Sequence, residues 1–251
     1  MEVHHHPHVE KKNFKEYFLE FIMIFLAVTM GFIAESIRES ITENKVASEY
    51  SHSLVQDLKR DTADLNIEMG EMNFVSPKID TFINLVQTKK INELPGGIWY
   101  YYGRFGTRLL RFQSRDATLQ QLKSSGALRY FKNHAIINAL AQYDQKISNL
   151  TNFIYFEQSV FAEKLTETRN KLFIAYYFIP VMNLGMTKQA VDYFKIQNFP
   201  LLDSSRTLMI EYANYCELKQ NNDRYVLGLE KDLFANETTL LRMLEEQYNI
   251  R

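Results

Sequence analysis

Cysteine is almost missing from this chain. Cys216 is the only one, so no internal disulfide can staple the fold. An extracytoplasmic bacterial domain without disulfides is ordinary, and Cys216 itself reads as a small buried hydrophobe rather than a nucleophile. Glycine and proline are scarce, 9 and 5 of 251 residues, which denies an all-β fold its turns and suits long helices. Neither sign of charge predominates: 29 basic and 30 acidic residues leave a net charge of −1, and nothing suggests a nucleic-acid surface. Long apolar runs are missing too, with one exception.

That exception is Phe21 to Ala34. Its length alone fits a core helix or a signal-peptide core. Extended to Tyr17–Ile37, it reaches roughly 31 Å as a helix, the thickness of a bilayer's hydrocarbon. It has no polar face, whereas a soluble amphipathic helix would show one. A cleaved signal would want small residues before the cut, and Phe32 stands three residues before Glu35, so an uncleaved anchor is the expectation. Lys11, Lys12 and Lys15 on one flank outweigh Arg38 and Lys45 on the other, which places the N-terminus in the cytoplasm. Within the span, Glu20 is either an interfacial carboxylate or a group facing an oligomer axis. Ala27 and Gly31 form a small-x-x-x-small pair that would let two such helices approach closely.

Residues 1–16 form a basic, His-rich leader in which His4, His5, His6 and His8 could bind a transition metal, or equally lipid headgroups. The stretch HHHPHVEKKNFKEYFLEFIMIFLAVTMGFIAES resembles the start of an uncharacterised family of single-span bacterial membrane proteins: a His-Pro-His leader, paired lysines and an apolar helix ending in Gly-Phe-x-Ala-Glu. The later DATLQQLKSSGALRYFKNHAIINALAQYDQKI resembles it more loosely. The resemblance implies a bacterial membrane anchor and carries over no catalytic residue.

Beyond the span, residues 38–75 are expected to continue as a helical stalk, with apolar residues at a three-to-four spacing from Val46 to Met72. Asp57, Asp61 and Asp64 share one face there and read as a solvated stripe or as partners of Lys59 and Arg60. Glu49-x-x-His52 spells a di-iron motif but lacks its second copy. Residues 76–251 are expected to form an antiparallel all-α bundle, with the stalk as an added helix. Its first helix should begin at Ser76-Pro77 and run to Lys90, and Asn92 to Gly97 should break the chain. A capped helix over Ser114–Ser125 stops at Gly126, and a long helix of about 40 residues ends before Pro180. Leu172 to Met182 is too short and too interrupted for a second span. A short helix lies near Thr187–Lys195, a further one runs from Asp203 to Gln220, and a last one follows a turn at Asn221-Asn222-Asp223.

The aromatic stretch IWYYYGRFGTR admits two readings. Exposed, Trp99, Tyr100, Tyr101 and Tyr102 with Arg104 and Arg108 would make a protein-binding patch. Buried, they plug a helix junction. Gly103 and Gly106 make no phosphate loop. The expected function is a non-enzymatic scaffold or accessory subunit of a bacterial inner-membrane assembly, with the C-terminal domain in the periplasm. Its partners are the bilayer and a homo-oligomer or larger complex, without cofactor, nucleic acid or evident small-molecule substrate. A homo-oligomeric ion channel lined by Glu20 and a metal-binding membrane protein are the alternatives.

Overall fold

Three long helices carry the architecture, and each follows from apolar residues repeated every three or four positions. The computed structural model describes residues 13–109, 112–180 and 187–250, and among them all regular structure is helical. Helix α1 spans Phe14–Thr88, 75 residues. Its start is tied by the Asn13 backbone N–H donating to the Glu16 carboxylate at 3.1 Å. The early part of α1 is long and apolar enough to cross a membrane, and none of its apolar 18-residue window is buried. From Ala47 onward the helix buries one stripe, including Leu54, Leu58, Leu65, Met72, Ile79 and Phe82.

Helix α2 (Gly96–Gly103) and helix α3 (Ala117–Ser125) follow as short pieces. Gly126 stops α3 in the left-handed region, φ 69°, where a side chain would be strained. Helix α4 (His134–Leu172) begins where the Asn133 side chain accepts from Ala135 N at 2.9 Å. Helix α5 (Lys188–Ile196) is capped by Thr187, and helix α6 (Arg206–Tyr248) by Ser205.

Cross-helix pairs set the directions. Lys59 meets Glu245 at one end of α1 and α6, and Arg206 donates to Lys89 O at the other, so the two run antiparallel. Lys146 lies near Asp232 and Asn133 donates to Gln247, so α4 and α6 are antiparallel too. The interior falls into two apolar clusters. The one nearer the apolar segment joins Leu54, Leu58, Tyr143, Leu150, Val226 and Leu240. The far one is aromatic and joins Phe82, Trp99, Tyr100, Phe173, Phe194 and Tyr212.

Three expectations are corrected. Ser76-Pro77 starts no helix, because α1 runs through Pro77 to Thr88. Val75, Ile79, Phe82 and Val86 keep the buried register set by Met72, and that packing outweighs a cost of about 3 kcal/mol for an interior proline. Asn221-Asn222-Asp223 makes no turn, since α6 continues through it. Asparagine costs a helix only about 0.7 kcal/mol each, and Asn221 bonds the Glu217 and Arg224 side chains one turn away. The stalk also ends at no element boundary: α1 runs unbroken across 75/76, and from Ala47 it packs along α6, the helix that lies against both α1 and α4.

Candidate functional site

The aromatic stretch lies inside the far cluster. Trp99 and Tyr100 are 0 % exposed and Tyr101 1 %, so the protein-binding patch is corrected to a packed junction. The long-range hydrogen bonds explain the burial. Trp99 Nε1 donates to Ile91 O at 3.1 Å, while the Tyr100 hydroxyl donates to Pro200 O and accepts from Ile174 N, both at 2.8 Å. Trp99 and Tyr100 each keep a polar partner while losing their water, which offsets the burial of their polar atoms, whereas the buried Tyr101 hydroxyl has no hydrogen-bond partner. Tyr100 also packs edge-on against Phe173, Tyr177 and Phe199.

Glycine permits the junction. Gly97 N donates to Gln197 O at 2.8 Å, and a Cβ on Gly97 would sit 2.2 Å from Phe194 O. On Gly96 it would meet Phe199 O at 1.7 Å. These glycines open α2 rather than end a linker, because Pro95 stands before them as its first cap. Of the remaining patch residues, Tyr102 is half-buried against Tyr101. Arg108 pairs with Glu71 at 2.5 Å. Arg104 stacks over Phe105, and burial lowers its pKa from the usual guanidinium value.

A second constellation, polar and unforeseen, runs through the bundle. Asp61 has no solvent exposure. Its carboxylate accepts from Ser114 Oγ at 2.6 Å, from Arg115 N at 2.9 Å and from the Tyr143 hydroxyl at 3.0 Å. Burial raises its pKa while these donors pull it back. Asp57 accepts from Thr118 and Asp64 pairs with Arg115. The aspartate stripe therefore fastens the first turn of α3 and the segment ahead of it to α1, in place of the expected water, Lys59 or Arg60. On α6, Asp223 pairs with buried Lys219 at 2.6 Å, while Glu230 and Glu237 are fully buried. The signal was available: Cys216, Asp223, Glu230, Glu237 and Leu244 recur every seven residues. An apolar-only reading of the period passes over them.

The chemistry open to these groups is narrow. Among the described residues no group of three or more His, Cys, Asp or Glu is placed to hold a metal ion, and His52 is exposed. The Cys216 thiol is pushed up to about 12, chiefly by burial, and is a poor nucleophile at neutral pH. A cavity of about 180 Å³ lies between α1 and α6, lined by Glu71, Ser76, Arg108, Lys219, Asp223 and Arg224. Its charges are engaged in pairs: Arg108 with Glu71, Lys219 with Asp223, and Arg224 with Asp80.

In the apolar segment, Ala27 and Gly31 lie on the exposed surface, and a Cβ on Gly31 would meet nothing within 4 Å. Glu20 is half-buried on the same helix. His4, His5, His6 and His8 lie outside the described residues. Comparison with family models, curated proteins and solved structures finds no match.

Proposed function

We propose that the chain is a single-span protein of the bacterial inner membrane whose helical bundle works by binding other proteins, as a scaffold or accessory subunit rather than an enzyme. The observation that carries this reading is the continuity of α1. One helix holds an unburied apolar segment at one end and a buried stripe of the bundle at the other. A bundle fused to its anchor without a hinge is held at a set height and angle to the bilayer, which suits a positioning role. The likeness of residues 4–36 to single-span bacterial membrane proteins supports the same placement. So does the lysine bias, which puts the N-terminus in the cytoplasm and the bundle in the periplasm. The free Ala27–Gly31 face is the surface on which a second span would pack.

Native mass spectrometry of the full chain, extracted in mild detergent with companions retained, tests the proposal. One or two copies held by a larger complex of other proteins is the expected outcome. A closed ring of identical chains with no companion would overturn it in favour of a pore, and Glu20→Gln would then abolish conductance.

A further inference from the structure

Glu230 and Glu237 stand two turns apart on the face of α6 that packs into the bundle. Both side chains are 0 % exposed, and none of their four carboxyl oxygens has a hydrogen-bond partner. An ionised carboxylate there would lose its hydration with nothing in return. The neighbours make ionisation harder. Glu68 of α1 and Asp223 of α6 face Glu230. Asp61 of α1 faces Glu237, and from α4 the Tyr143 hydroxyl joins the same group. The cations nearby serve other carboxylates, Lys219 on Asp223 and Arg115 on Asp64.

We propose that this interior is a proton-binding seam: Glu230 and Glu237 hold their protons while α1, α4 and α6 are packed, and giving them up loosens α6 from its two neighbours. Acid then tightens the bundle and alkali slackens it. Desolvation first and like charge second push Glu230 up to about 8 and Glu237 up to about 9. Between the ordinary value of 4.5 and these values, the packed state keeps protons that the opened chain releases. Stability is therefore full below the ordinary value, falls as pH rises through the window, and levels off above about 9. Asp61, also raised by burial, adds to the same slope.

Thermal unfolding of the full chain in detergent, followed from acid to alkaline pH, reads the seam directly. The wild type should lose several degrees of Tm as pH rises through the window. Glu230→Gln with Glu237→Gln, which mimics the neutral acids, should melt higher than wild type at alkaline pH and show a shallower slope. Parallel profiles for the two proteins would overturn the proposal. Infrared spectroscopy of the wild type supplies a check independent of the variant's folding. A protonated-carboxyl band should persist at neutral pH and vanish with a midpoint of about 8 to 9, and its absence at neutral pH would equally overturn the seam.

Discussion

The Asp61 carboxylate gathers a serine hydroxyl, a backbone N–H and a tyrosine hydroxyl from two other parts of the chain into a dry site. A buried acceptor of this kind is worth little when satisfied and much when removed, because its donors are then stranded. Asp61→Ala should destabilise the bundle by about 3 kcal/mol in denaturant unfolding. Asp61→Asn keeps one acceptor oxygen and should cost about half as much. A loss within a few tenths of a kcal/mol for Asp61→Ala would mean that Ser114 and Arg115 hold α3 without it.

At the scale of elements, α1 tolerates an imperfection for the sake of register. Pro77 has no N–H to offer the Asn73 carbonyl, yet Val75 and Ile79 on either side of it are buried. Gln220 of α6 donates to Ser76 O at 2.9 Å and steadies the turn. Pro77 itself is exposed, so Pro77→Ala removes the defect without touching the core. The variant should gain up to about 3 kcal/mol, read as a higher Tm. An unchanged or lower Tm would show that the bundle needs the proline's local geometry.

For the whole molecule, the far aromatic cluster closes over Cys216, whose thiol lies against Tyr212 and beneath Gly106. A maleimide probe at neutral pH should leave the native chain unlabelled and react only once denaturant opens the bundle. Labelling of the native chain at the rate of a free thiol would show that the Arg104–Thr107 turn and α6 part readily. Since Cys216 is the only cysteine, the signal has one source.

Much of this protein is written in local pattern. The apolar segment, the helical class and α4, expected at about 40 residues and observed as 39, all follow from spacings within one helix. The tertiary structure alone decided the rest. Whether Trp99 to Tyr101 face water depends on Pro200, Ile174 and Phe194, which are 74 to 100 residues away along the chain. Whether Pro77 and Asn221 break a helix depends on what the neighbouring turns bury. Spacing places Asp61 on a helical face, while an apolar-only reading passes over Glu230 and Glu237, polar members of a seven-residue repeat. Only the packing of three helices took the water from these groups, and desolvation is what turns ordinary acids into a proton-linked interior.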